Sequence, residues 1–294
     1  MNRLFPILIL IALLAGCQHP DGVYLTPGPT EEATQMEITP IAGADTTTPV
    51  GSLDSTAILP TDQARFGAYL TLNRVVEDFA VLGVRQITTR EFTTVFFADK
   101  NRPVSFGQWV FGYFGIKLDS VAIDALPLSQ VPHLIPVPIV GNITAGYSYA
   151  REFTGVYTPG RNYVWRVVSG GAAATIGIQA PANLAVLSPI GGAKILRTRP
   201  LELRWTGAGN LTIVISKRFP LVEKNLPLFS IRPTLNTGRL VLEPRVLALL
   251  PAGHQSFVLT FILSNRNEQG KLAGYPAQVL AQASSVYNCY VELQ

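Results

Sequence analysis

The stretch Asn162-Tyr163-Val164-Trp165-Arg166-Val167 decides the fold. Tyr163, Trp165 and Val167 recur at every second position and face one way, while Arg166 faces the other, which is the pattern of a half-buried strand. Outward from it the same period returns. Phe92-Thr93-Thr94-Val95-Phe96-Phe97-Ala98 and Tyr147-Ser148-Tyr149 are short, rich in aromatic and β-branched residues, and bounded by Gly, Pro, Asn or Asp. Leu201-Glu202-Leu203-Arg204-Trp205 alternates with both Leu and Trp205 inward, and Leu211 to Ile215 follows across the turn Gly207-Ala208-Gly209-Asn210. Phe257, Leu259, Phe261 and Leu263 line one face of a later strand. No segment carries apolar residues at i, i+3, i+4 and i+7 over three turns. The best helical candidate, Val246 to Leu250, lasts one turn before Pro251. The chain is all-β.

The first seventeen residues carry an address. Asn2 and Arg3 form a short charged region, Leu4 to Leu14 is apolar, and Leu14-Ala15-Gly16-Cys17 follows at once. An apolar run of this length falls short of the roughly 18 residues that span hydrocarbon. The tetrapeptide resembles a bacterial lipobox, and the segment resembles a lipoprotein signal peptide. That resemblance implies export, diacylation of Cys17 and cleavage behind Gly16. Two acyl chains hold firmly, since each buried CH₂ contributes about 0.8 kcal/mol. Gln18 is not the Asp that resembles an inner-membrane retention signal, so an outer membrane is the favoured destination where one exists.

Residues 17–61 then read as an acidic, disordered tether. From Gln18 to Thr61 there are nine Thr, six Pro, six acids and no Lys or Arg, too little apolar surface to offset the entropy of ordering. Beyond it the expectation is two β-sandwiches, residues 62–180 and 181–294, split near Ala180-Pro181-Ala182-Asn183. The net charge of +4 hides this asymmetry: residues 181–294 hold twelve bases against five acids. Those arginines read as scattered solvated charge, with Arg218, Arg232 and Arg245 in separate loops.

Leu187-Ser188-Pro189-Ile190-Gly191-Gly192, Arg199-Pro200-Leu201-Glu202-Leu203-Arg204-Trp205 and Leu250-Pro251-Ala252-Gly253 together resemble a fibronectin type III or related immunoglobulin-like module. The resemblance covers residues 184 to 294. It implies an antiparallel sandwich with Trp205 in the core and a corner before a late strand, although His254-Gln255-Ser256-Phe257 replaces the usual Tyr after the corner. In the first unit, Ala98 to Gly107 looks like a strand–turn–strand of immunoglobulin-like lipoprotein domains. Tyr157-Thr158-Pro159-Gly160 resembles the same Pro-Gly corner. The resemblance specifies architecture and no activity.

No chemistry is spelled out. His19, His133 and His254 are not at ligand spacing, and HExxH, CxxC and acidic calcium loops are absent, so no metal or other cofactor is expected. G-x-S-x-G, S-x-x-K and G-x-x-x-x-G-K are absent too. Glu77 and Asp78 are adjacent and point to opposite faces of a strand. Gly170-Gly171 reads as a hairpin turn. With Cys17 lipidated, Cys289 has no partner for a disulfide and sits with Tyr287, Val291 and Leu293 on one strand face, as a small buried hydrophobe.

Two features attract attention as contacts. The loop Leu126 to Gly141 carries four Pro, which forbids a central strand; it covers a core edge or forms an exposed contact. The run Phe106 to Phe114 is aromatic on both faces, which suggests a central strand, or else rings that stack on sugars. Trp109, Tyr113 and His133 are the ligand-binding candidates. The expectation is a non-catalytic envelope module, held to a membrane by its lipid and meeting an envelope protein or polysaccharide. Alternatives are a carbohydrate-binding surface protein and a glycan-active enzyme. Nucleic acid is not an expected partner.

Overall fold

A computed structural model describes residues 36–41, 62, 65–106, 109–137, 141–219, 224–253, 255–269, 272 and 274–294. In chain order the first nine strands are β1 (Met36–Pro40), β2 (Ala68–Val81), β3 (Val84–Phe106), β4 (Trp109–Gly115), β5 (Ser120–Ile123), β6 (Leu126–Pro127), β7 (Ser129–Val137), β8 (Gly141–Phe153) and β9 (Asn162–Ser169). Then come β10 (Ala172–Gln179), β11 (Ala185–Ser188), β12 (Lys194–Ile195), β13 (Leu201–Thr206), β14 (Leu211–Phe219), β15 (Lys224–Pro233) and β16 (Arg239–Leu242). A single helical turn, α1 (Pro244–Leu247), precedes β17 (Gln255–Gln269) and β18 (Val279–Leu293). The fold is all-β, as the alternating pattern predicts.

The strands form one 11-stranded sheet and two small ones. The large sheet runs β1-β15-β14-β17-β18-β2-β3-β8-β7, with β12 paired to β18 and β4 to β3. β10-β9-β5-β6 and β11-β13-β16 are the small sheets. Along β18 the odd residues Val279, Ala281 and Ala283 enter one core, while Tyr287, Cys289, Val291 and Leu293 enter a second. Odd residues share a face, so both small sheets cover the same side of the large one, next to each other.

Each core is a sandwich interior. In the first, Leu70, Leu72, Val95 and Phe97 meet Val121, Ile123, Tyr163, Trp165, Val167, Ile176 and Ile178. In the second, Val186, Leu203, Trp205, Leu240 and Leu242 meet Ile213, Ile215, Phe257, Leu259, Phe261 and Leu263. Here β11-β13-β16 faces β15-β14-β17-β18 across the core. Trp165 is fully buried and its indole N–H donates to Thr93 Oγ1 at 3.1 Å. Trp205 donates likewise to Asn236 Oδ1 at 2.7 Å.

Several expectations change. The boundary near residue 180 persists as a seam between cores, but the backbone sheet crosses it: β18 pairs with β2 over eleven residue pairs, from Val279↔Ala68 to Cys289↔Asp78. That pairing is parallel, as is β12 with β18, so the large sheet is mixed and not purely antiparallel. Within the expected tether, Met36–Pro40 is a strand on the edge of β15, with Ile41 buried against Val75, Phe92, Val214, Ile262 and Val286. The Pro-rich Ser129–Val137 is an edge strand, where missing N–H donors are tolerated. Ala98 to Phe106 continues β3, with bulges at Asp99/Pro103 and Val104/Ser105 in place of a turn. The aromatic β4 is not central, since it pairs with β3 alone. Arg218 and Arg232 lie on strands β14 and β15, not in loops.

Candidate functional site

The described residues offer two concentrations of polar chemistry. One is buried and ties the halves together. Asp78, its side chain fully buried, faces Arg85 with Oδ1 at 2.8 Å from Nε and Oδ2 at 2.7 Å from Nη2. It also accepts from Tyr287 Oη at 3.0 Å and from the Gly191 amide at 3.0 Å. Burial works to raise its pKa, but these hydrogen bonds and the Arg85 charge outweigh burial, and the carboxyl stays below its ordinary value. Burial, then Asp78, pushes Tyr287 up to about 12. Next to it Cys289, fully buried, donates from Sγ to Pro189 O at 3.1 Å, and burial with Asp78 pushes the thiol up to about 12. A thiol so placed is inert, as the strand-face argument predicts. Glu77, on the opposite face, accepts from Asn288 Nδ2 at 2.9 Å. Both carboxylate oxygens of Asp78 are engaged, while Glu77 Oε2 is buried without a partner among the described residues, and the cluster is a clamp between β2, β3, β18 and the loop after β11.

The second concentration is open. β3 and β4 extend past the end of the large sheet, and β7 and β8 extend beside them. Two glycines permit their close approach: a Cβ on Gly115 would lie 2.3 Å from Tyr147 O, and one on Gly146 would lie 2.2 Å from Gly115 N. Gly146 also has φ +102°, which L side chains rarely adopt. A cleft of about 400 Å³ lies at this corner, lined by Asp99, Arg102, Phe114, Lys117, Thr144 and Tyr147 among others. Arg102 Cζ sits 4.7 Å from the Phe114 ring centre, and Lys100 Nζ sits 4.4 Å from that of Tyr113. Such stacking holds a cation extended beside an aromatic face while its outer side stays hydrated. The corner thus presents three cations, Lys100, Arg102 and Lys117, against one carboxylate, Asp99, whose Oδ1 accepts from the Asn101 amide at 3.1 Å.

Two of the three sequence candidates fall at this corner. Tyr113 is half-buried under Lys100. His133 is exposed, edge-on to Phe96 at 6.2 Å between ring centres. Trp109 opens β4, and its side chain lies outside the described ones. Lys100, Arg102 and Lys117 escaped sequence reading because they are spaced unevenly; their only signal was that they bracket an uncharged aromatic run. A second cleft of about 320 Å³ lies over the first core, and its Asp124 is paired with Arg161 at 2.8 Å. Among the described residues no group of three His, Cys, Asp or Glu is placed to hold a metal ion. Cys17, the apolar run before it, His19 and His254 lie outside the described residues. Among the described residues no helix is long and apolar enough to cross a membrane. No protein-family model matches this chain, and no curated protein sequence matches it.

Proposed function

We propose that this chain is an exported lipoprotein, anchored through diacylated Cys17, whose β-sandwich body is a non-catalytic module for binding an anionic partner in the cell envelope. The observation that carries the binding half is the hairpin corner, where Arg102, laid over Phe114, and Lys117 line an open cleft, and Lys100 is laid over the adjacent Tyr113. A single carboxylate lines each of the two clefts, whereas glycoside hydrolysis commonly uses two acids about 5–10 Å apart. That favours binding over the rival reading as a glycan-active enzyme. The lipid half rests on Leu14-Ala15-Gly16-Cys17 and the apolar run before it.

The detergent-solubilised full chain tests the binding half against dextran sulfate and unsulfated dextran. Retention on the sulfated polymer alone, weakened at least tenfold in Arg102→Ala with Lys100→Ala, is the expected result. Equal retention on both polymers, or an unchanged double variant that keeps its near-ultraviolet dichroism, sinks it. Turnover of an envelope polysaccharide would overturn the non-catalytic assignment. For the lipid half, Cys17→Ala should leave the membrane fraction; full partitioning of that variant with membranes refutes the anchor.

A further inference from the structure

The β2–β3 hairpin leaves the large sheet before it turns. β2 pairs with β18 only as far as Asp78↔Cys289. Beyond that point the loop after β11 takes the edge of β18, with the Gly192 amide donating to Tyr290 O and the Glu292 amide to Ala193 O. β2 and β3 continue as a two-stranded arm that closes at Val81↔Val84. Every residue from Ala80 to Arg90 is exposed. The arm ends in aliphatic side chains, and Val81, Leu82 and Val84 are 46%, 99% and 64% exposed. Its two charges are already matched, Arg85 by Asp78 and Arg90 by Glu152.

Leu82 is unfavourable there on two counts. Its φ of +51° suits an Asn before Gly83, and its side chain stands in water. Strain and exposed apolar surface at one point mark a contact that the isolated chain lacks. The cleft over the first core has the complementary chemistry. Its walls include Leu126, Phe153 and Val156, all half-buried, and at about 320 Å³ it is nearer a side-chain recess than a cofactor pocket. Its rim charges, Asp124 and Arg161, hold each other at 2.8 Å, which favours an uncharged occupant. Leu82 lies ten residues along the chain from Leu72 in the cleft wall, about 33 Å at ~3.3 Å per residue, so the arm cannot reach the cleft of its own chain.

We propose that the aliphatic end of the β2–β3 arm docks in the Leu126, Phe153 and Val156 cleft of a second copy of this chain. Both surfaces meet with their charges already paired, so no lone charge is stripped of water on contact. The contact is heterologous: each copy gives its arm to one neighbour and its cleft to another, and copies line up head to tail. The end of the arm is far smaller than the roughly 800 Å² per partner of a standard interface, so association is reversible and grows with concentration. It is independent of the anionic site, which uses neither the arm nor this cleft.

Sedimentation of the detergent-solubilised full chain over a concentration series tests it. Wild type should form species that grow with concentration. Leu82→Asn, which fits the turn, should weaken association at least tenfold. On the cleft side, Thr158→Trp fills the recess from its exposed rim, and Leu126→Glu puts a charge in its wall; each should weaken association as much while keeping its near-ultraviolet dichroism. An equimolar mixture of Leu82→Asn and Thr158→Trp should form dimers and nothing larger, because one keeps only its cleft and the other only its arm. Wild type that stays monomeric overturns the proposal, as does wild-type association by Leu82→Asn or by both cleft variants, or a mixture that stays monomeric. Monomeric wild type whose binding to phosphatidylcholine vesicles falls in Leu82→Asn would give the arm to a lipid surface and overturn the second copy.

Discussion

Leu82→Asn should make this protein more stable, and the reason lies in one torsion. Val81 pairs with Val84, so Leu82 and Gly83 alone make the turn between β2 and β3. Their φ angles are +51° and +79°, the left-handed pair of a type I′ hairpin. Such a turn suits Asn-Gly, whereas a leucine there pushes its Cβ toward the following carbonyl at a cost of about 1–2 kcal/mol. Leu82 is 99% exposed, so its side chain recovers nothing by burial. Asn at this position tolerates the same torsion, and the gain is about 1 kcal/mol. For a chain of this size that raises the melting temperature by about 2–4 °C. Thermal unfolding followed by near-ultraviolet dichroism, with urea titration in parallel, gives the measurement. Leu82→Ala is the control: it keeps the strain and removes the same exposed surface, so it should stay within about 0.5 kcal/mol of wild type. An Asn variant that melts no higher than the Ala variant would refute the torsional argument.

Asp78→Ala should destabilise by about 3 kcal/mol, the lower end for breaking a buried ion pair because Arg85 is 38% exposed and can turn to water; urea midpoints of the variant and wild type check it. Since the Asp78 carboxyl is held below its ordinary value near 3.9, its stabilisation is complete above about pH 4 and disappears as pH falls through the lower folded value. The stability difference between wild type and Asp78→Ala should therefore shrink on acidification below pH 4. Cys289 should resist a thiol reagent at pH 8 in the native protein and react at once in 6 M guanidinium, because burial holds its thiol at about 12; rapid native labelling would contradict the packing at the clamp. Trp165→Ala should cost about 3–5 kcal/mol, combining a large cavity with the lost bond to Thr93, measured by the same urea titration.

The parts of the fold that were legible are those written in nearest neighbours. Alternation alone placed Tyr163, Trp165 and Val167 inward, and each is at most 1% exposed. The turn at Gly170-Gly171 and the corner before β17 follow from the same local rules, whereas the helical turn spans Pro244–Leu247 in place of the expected Val246 to Leu250. What stayed hidden is pairing over long separations. Nothing in Val279 to Cys289 announces a parallel partner in β2, since two strands buried on both faces carry the same apolar and small-residue pattern in either direction. The tether reading failed at Met36–Pro40 because composition averaged over the whole stretch concealed a four-residue alternation, Met36-Glu37-Ile38-Thr39, whose Met36 and Ile38 pack on the second core. At the hairpin corner, the aromatic run points to Tyr113 and the Pro-rich loop points to His133. Lys100 and Arg102 lie inside the bulged segment between Asp99 and Pro103, and a bulge shifts facing in a way that period-two counting does not see.

The pairing of β18 with β2 also sets a clock. Asp78 and Tyr287 are joined by a hydrogen bond across 209 positions of sequence. At ~5–20 residues per second, β2 leaves the ribosome about 10–40 s before the strand that will lie beside it exists. Throughout that interval the β18-facing edge of β2 has no partner, and the large sheet stays in two pieces. The chain is therefore unfinished for most of its own synthesis, a condition that keeps it threadable but leaves an adhesive edge for a chaperone to guard.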